Sequence, residues 1–242
     1  MKIRELHQVD CIELAINGSG DYFFPLPSFK DKKIDSIFIW DGADDMRNTN
    51  LYVSIYSSDR KPLYVNCPAV KFGFDNINNR IDKVLDFDLL KVTYTGSNTF
   101  TLYVYFSTEE KIIDLQSYQV PLLNAKNLRL DLERIIYEEQ QQGDKWVSLL
   151  SADNADYMRG KQVRFISCKV SQKYLLSLQF TNGKSLNKIP FCFLQQTPVF
   201  PYPNVMPFVV DGVIDLDLSY MEILQPFNPQ RLYIDLTMYY QQ

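Results

Sequence analysis

Apolar and polar residues alternate with period two along much of the chain, most cleanly over residues 100–106. Phe100, Leu102, Val104 and Phe106 fall on one side, and Thr101, Tyr103 and Tyr105 on the other. Seven residues in this pattern predict a strand with one buried face. The pattern returns near the end of the chain, with Leu232, Ile234, Leu236 and Met238 inward and Tyr233, Asp235, Thr237 and Tyr239 outward. Outward tyrosines in both strands imply a surface that something else partly covers. Similar runs predict strands over 34–40, 51–57, 61–65, 84–90 with a continuation over 90–94, 162–170, 175–181 and 185–191. Gly96-Ser97-Asn98 reads as a hairpin turn between residues 90–94 and the strand from Phe100. Asn182-Gly183 reads as a second hairpin, since Asn-Gly supplies the positive φ that a tight turn needs. Residues 132–142 mix Ile135, Ile136 and Tyr137 with glutamates and suit a helix, yet Leu128, Leu130 and Leu132 alternate as a strand would. Turn signals every eight to twelve residues or so, with little helix, predict an all-β chain of sandwich or jelly-roll type.

A repeat organises these strands. Val84-Leu85-Asp86-Phe87-Asp88-Leu89 returns as Val213-Ile214-Asp215-Leu216-Asp217-Leu218, 129 residues later. Leu102-Tyr103-Val104 matches Leu232-Tyr233-Ile234 at a spacing of 130. Leu51, Val53 and Ile55 match Leu176, Leu178 and Phe180 at a spacing of 125, which also places Cys67 on Cys192. Ile37-Phe38-Ile39 matches Arg164-Phe165-Ile166 loosely. A period of this size is a domain, not a solenoid repeat. The expectation is two tandem antiparallel β-sandwiches, jelly-roll-like and related by internal duplication. The first spans 1–110 and the second 127–242, with 111–126 as a linker or crossover. Each half is long enough to bury its own core.

Composition narrows the partners. The net charge of −4 leaves no basic footprint for nucleic acid. No stretch approaches the length of a membrane helix. The charged start, Met1-Lys2-Ile3-Arg4-Glu5, lacks the apolar core of a secretory signal, so a cytoplasmic origin is expected. Cys11, Cys67, Cys168 and Cys192 show no CxxC spacing and read as buried reduced thiols.

Candidate chemistry is sparse. His7 is the one histidine, which argues against zinc hydrolases and His-based triads. His7 and Cys11 stand four apart, but in a strand-like segment ordinary packing explains them better than a dyad. Gly183-Lys184-Ser185 mimics the end of a phosphate loop, but Leu178 occupies the place of the required glycine. Residues 16–21, Ile-Asn-Gly-Ser-Gly-Asp, read as a mobile turn. Asp41, Asp44 and Asp45 are candidate calcium ligands through their oxygens, although solvated loop charge accounts for them more simply. Asp86/Asp88 and Asp215/Asp217 suggest paired carboxylates, but duplication explains them without a glycosidase site. No catalytic residue, metal or cofactor is therefore expected. The run Phe200-Pro201-Tyr202-Pro203-Asn204-Val205-Met206-Pro207-Phe208 differs in kind. Proline cannot donate to a sheet ladder, so this is a stiff extended arm suited either to contact a neighbouring subunit or to fold over its own sandwich.

The tandem sheets, the missing catalytic groups, the 16 tyrosines and 16 phenylalanines and the proline-rich arm resemble bacteriophage virion proteins. Capsid auxiliary (decoration), head–tail joining and tail components, including those of the crAss-like group, share this style. Viral double jelly-roll capsid proteins share the two-domain plan but are typically longer. The resemblance implies a non-enzymatic structural protein of the virion, assembled in a host cytoplasm. It would bind copies of itself and other virion proteins, without nucleic acid or membrane. The interface candidates are Phe200, Pro201, Tyr202, Pro203, Met206, Phe208, Tyr103, Tyr105, Tyr233 and Tyr239. The alternative is a carbohydrate-binding sandwich that stacks sugars on Trp40, Trp146, Tyr52, Tyr103 and Tyr105.

Overall fold

The computed structural model describes residues 2–26, 29, 32–42, 50–73, 80–85, 87–114, 123–131, 146–168, 174–191, 208–224 and 233–241. Among the described residues the chain is all-β apart from short helical turns. It divides into two compact units, Val9–Glu109 and Met1–Gln8 with Glu110–Gln242.

In the unit Val9–Glu109, eight strands form two sheets. They are β1 (Lys2–Asn17), β2 (Gly20–Pro25), β3 (Lys32–Trp40), β4 (Leu51–Ser57), β5 (Pro62–Pro68), β6 (Arg80–Leu85), β7 (Phe87–Tyr94) and β8 (Thr99–Asp114). One sheet runs β6-β3-β8-β1 and the other β2-β7-β4-β5. The core lies between them. Ile37, Ile39, Leu102, Val104 and Phe106 of the first sheet pack with Leu51, Val53, Ile55, Leu90 and Val92 of the second. Full burial of each such side chain stabilises by about 1.5–3 kcal/mol.

In the other unit the strands are β9 (Asn124–Asp131), β10 (Trp146–Ser148), β11 (Gln162–Cys168), β12 (Tyr174–Phe180), β13 (Ser185–Pro190), β14 (Phe208–Ile223) and β15 (Tyr233–Gln241). Their order is β13-β12-β14-β11-β15-β9, with β10 also on β14. The long β14 changes partner along its length. Its first part pairs with β11, from Phe208↔Ile166 to Val213↔Gln162. Its second part pairs with β12, from Ile214↔Phe180 to Ile223↔Tyr174. On β9 and β15 the buried residues alternate: Leu128 and Leu130, then Ile234, Leu236, Met238 and Tyr240. The start of β1 joins this unit through Glu5, paired in parallel with Val209.

Several expectations need correction. The chain does not form a hairpin at Gly96-Ser97-Asn98, because β7 and β8 lie in different sheets and this turn carries the chain across the core. Residues 84–90 are not one strand. β6 ends at Leu85 on β3, and β7 begins at Phe87 on β4. Residues 16–21 contain the end of β1 and the start of β2 rather than a mobile turn; only Asn17–Gly20 turns, with Gly18 at φ +87°. The segment 111–126 is strand at both ends, in β8 and β9. Residues 132–142 and Cys192 lie outside the described residues. Cys168 is buried, but Cys11 and Cys67 are only half-buried.

The Asn182-Gly183 hairpin does join β12 and β13. Gly183 takes φ +83°, and the Asn182 side-chain oxygen accepts the Lys184 N–H at 3.1 Å. This geometry fully accounts for the Gly183-Lys184-Ser185 sequence.

Two β-bulges share one device. The register of β4 on β5 slips between Val53 and Ile55, and that of β12 on β13 between Leu176 and Leu178. The residues opposite, Asn66 and Lys188, take positive φ of 47° and 56°. A bulge leaves ladder groups unpaired. In each case a buried serine supplies the missing acceptor. Ser54 Oγ accepts the Asn66 N–H at 2.9 Å, and Ser177 Oγ accepts the Lys188 N–H at 3.0 Å.

Candidate interaction surface

The contact candidates separate sharply by burial. Tyr103 and Tyr105, expected on an outward surface that something else partly covers and offered as interface candidates, are 4% and 1% exposed. Every residue from Leu102 to Ser107, and from Ile34 to Trp40, is buried. Both faces of β3 and β8 are thus covered, and Trp40 packs on Tyr103 at a centroid distance of 5.1 Å. A tyrosine buries a large ring when its hydroxyl finds a partner, so alternation with tyrosine does not imply a wet face. Tyr239 is half-buried against Phe165, Val209 and Ile113. Tyr233 is 47% exposed, with the Arg129 guanidinium 5.5 Å from its ring centroid. Arg129 is held by two hydrogen bonds to Asp235, at 2.8 and 3.1 Å. Phe200, Pro201, Tyr202, Pro203 and Met206 lie outside the described residues. Phe208 opens β14.

The outer face of β2-β7-β4-β5 forms a surface that the sequence did not single out. Register places Asp21, Thr93 and Tyr52 in one row, Phe23, Lys91 and Ser54 in the next, and Pro25, Leu89 and Tyr56 in a third. Its charged groups satisfy one another. Lys91 Nζ lies 2.8 Å from Asp21, the Thr93 hydroxyl donates to Asp21 at 2.7 Å, and both contacts hold the Asp21 carboxyl below its ordinary pKa. What remains open is apolar and aromatic. Phe23 is 59% exposed, beside half-buried Tyr52, Tyr56 and Leu89. The other unit exposes Trp146, set edge-on to Tyr220 at 5.9 Å, and Leu218. Exposed apolar groups of this size mark contact surfaces when they cluster.

Candidate catalytic groups do not converge. Asp217 is bound by the Arg159 fork at 2.9 and 3.2 Å, which lowers its pKa. Asp215 accepts the Asp217 N–H at 3.1 Å. The pair is therefore occupied by a surface ion pair and a local turn. Asp88 is exposed on β7, and Asp86 lies outside the described residues.

His7 Nε2 lies 2.8 Å from Glu5, a residue 2% exposed. Arg164 reaches Glu5 at 4.0 Å and also pairs with Asp211. The Gln162 amide donates to Asp211 at 2.6 Å. The sequence read His7 against Cys11 and missed this network, whose members come from β1, β11 and β14. Its opposite charges offset the cost of burying Glu5, and it presents no nucleophile. Asp41 is half-buried, while Asp44 and Asp45 lie outside the described residues. Among the described residues no three His, Cys, Asp or Glu side chains group to hold a metal. No helix there is long and apolar enough to cross a membrane.

Comparison with known proteins finds no match: no family model fits the chain, and no curated protein and no solved structure is similar to it.

Proposed function

We propose that this chain is a non-enzymatic structural protein, built from one jelly-roll sandwich used twice, that works by self-association in a phage virion. The observation that carries the reading is strand order. In the first unit the sheets run β1-β8-β3-β6 and β2-β7-β4-β5. In the second, β9-β15-β11 continues onto the first part of β14, and β10 sits on the second part of β14, which runs on to β12 and β13. Substituting β9 for β1, β10 for β2, β11 for β3, β12 for β4, β13 for β5, the two parts of β14 for β6 and β7, and β15 for β8 maps one order onto the other. An order of this kind supports the jelly-roll reading, in which eight strands share two sheets.

The repeated hexapeptide lies where the chain changes sheet between Leu85 and Phe87, and where β14 changes partner from β11 to β12 between Val213 and Ile214. The serine-bridged bulges add a second correspondence, Ser54 with Ser177. That register sets Val53 on Leu176, two residues from the spacing read in the sequence. It also sets Cys67 on Ile189 rather than on Cys192, since Val53 pairs with Cys67 and Leu176 with Ile189.

A duplicated sandwich that exposes large apolar side chains, among them Phe23, Trp146, Leu218 and Tyr233, is suited to lattice contact. Many copies each burying modest area gain permanence through avidity. The carbohydrate reading is weaker, because three of its five rings, Trp40, Tyr103 and Tyr105, are buried. Size-exclusion chromatography with light scattering tests the proposal. A stable trimer, hexamer or ring is expected, with Phe23→Glu or Trp146→Glu loosening it at unchanged circular dichroism. A strict monomer that binds immobilised glycans would replace the assembly reading with the sugar-binding one.

A further inference from the structure

Two lysines and two tyrosines meet on the second unit, with no carboxylate paired to either lysine among the described residues. Lys126 on β9 and Lys161, just beyond the helical turn Ala155–Met158, place their ammonium groups 4.7 and 5.5 Å from the Tyr157 ring centroid. Lys161 also lies 5.8 Å from the ring of Tyr240, on β15. The two phenol oxygens are 2.7 Å apart. Tyr157 is 48% exposed, while Tyr240 is buried.

Elsewhere the described surface cations mostly face acids: Lys33 with Asp35, Lys61 with Asp59, Lys91 with Asp21, Arg129 with Asp235 and Lys188 with Glu222. Among the described residues no ion pair reaches Lys126 or Lys161. Two like charges held on one ring repel one another, and the ring faces offset this only in part. The hydroxyls add a donor. Two phenols own two protons and share one hydrogen bond, so one O–H stays free to donate outward. The contact with Tyr157 and burial raise the Tyr240 pKa, which keeps that proton in place.

We propose that Lys126, Lys161 and the Tyr157–Tyr240 pair form a binding site for a doubly charged oxyanion of the phosphate-monoester type. Two ammonium groups neutralise a dianion, and the free phenol proton satisfies a third oxygen. A carboxylate or a phosphodiester, each with one charge, leaves one lysine uncompensated. The site does not depend on the assembly reading.

Titration with inorganic phosphate at pH 8, followed by calorimetry or 31P line broadening, tests it. Saturable binding is expected, weakened about tenfold by Lys126→Gln and again by Lys161→Gln, the effect of losing a charge-assisted hydrogen bond from a half-buried lysine. Tyr157→Phe keeps the ring and should weaken binding about threefold. Acetate and dimethyl phosphate serve as single-charge arms. Equal binding by either one overturns the dianion assignment, as does undiminished phosphate binding by the double lysine variant. Should a variant misfold, acylation of the wild-type protein provides the same discrimination. Phosphate should shield Lys126 and Lys161 from an amine-reactive ester relative to Lys61, read by peptide mass spectrometry, and equal labelling with and without phosphate overturns the proposal.

Discussion

Replacing Ser177 with alanine should cost more than its single oxygen suggests. Ser177 is 3% exposed, and its hydroxyl accepts the N–H of Lys188 at 3.0 Å. That N–H belongs to a bulge residue at φ +56°, so the ladder cannot take it back. Alanine leaves the donor without an acceptor in a half-buried position, and an unsatisfied buried amide costs about 1–3 kcal/mol. Partial access of water to Lys188 places the expected loss near 1.5 kcal/mol at Ser177. At Ser54 the bulge residue Asn66 is exposed, and water replaces more of the lost bond. The expected cost there is about 0.5–1 kcal/mol. For a chain of this size 1.5 kcal/mol lowers Tm by about 3–6 °C. Chemical denaturation and Tm measure the loss, and hydrogen exchange at the Lys188 amide reads its cause directly. Exchange there should accelerate in Ser177→Ala and remain unchanged in Ser54→Ala. A Ser177→Ala protein of wild-type stability, with the Lys188 amide still protected, would refute the assigned role.

Three other outcomes are expected. Gly212→Ala on β14 sets a methyl 2.5 Å from a Phe180 ring carbon, and overpacking of this kind costs about 1–3 kcal/mol, measurable by urea denaturation. Acid stability should decline as pH falls from the ordinary aspartate value of 3.8 toward 2. The Asp59 carboxyl is held down to about 2, first by Lys61 and then by Ser57; Asp21 and Asp217 are lowered as well. A carboxylate with a depressed folded pKa stabilises above its unfolded value and loses that contribution on protonation. High salt should flatten this decline, because the pairs are exposed, and a salt-independent acid transition would count against it. At the alkaline end burial pushes Tyr174 up to about 12, with Cys168 adding to the shift. Its phenol favours the folded state below pH 10, and that contribution fades as pH rises from 10 toward 12. Tyr174→Phe should therefore unfold at higher pH than wild type, as followed by tyrosinate absorbance.

How much of this was legible in the sequence depends on what alternation encodes. Period two located most strands, because it reports which residues share a face, and the Asn-Gly dipeptide located the β12–β13 hairpin because positive φ has a residue signature. Alternation is silent about which strand lies beside which. Residues 85–89 satisfy it throughout, yet the chain changes sheet between Leu85 and Phe87, and β7 and β8 flank a good turn sequence while pairing with other strands. It is equally blind to a shift of two residues. Aligning Leu51 with Leu176 keeps every inward side chain inward, and so does the alignment of Val53 with Leu176 that the proposed duplication favours. The signal that fixes this register was present in Val53-Ser54-Ile55 and Leu176-Ser177-Leu178. A lone serine within an apolar strand has to find a partner for its hydroxyl, and a bulge opposite supplies one. Surface chemistry was the least legible part. Tyr103 and Tyr233 stand in matching sequence patterns, yet one is 4% and the other 47% exposed. Lys126, the neighbours Tyr157 and Lys161, and Tyr240 lie far apart in the chain and meet through the placement of β9, a helical turn and β15. A side chain's exposure and company are set by the tertiary neighbours of its strand, so contact residues have to be read from the fold, while the strands that carry them can be read from the chain.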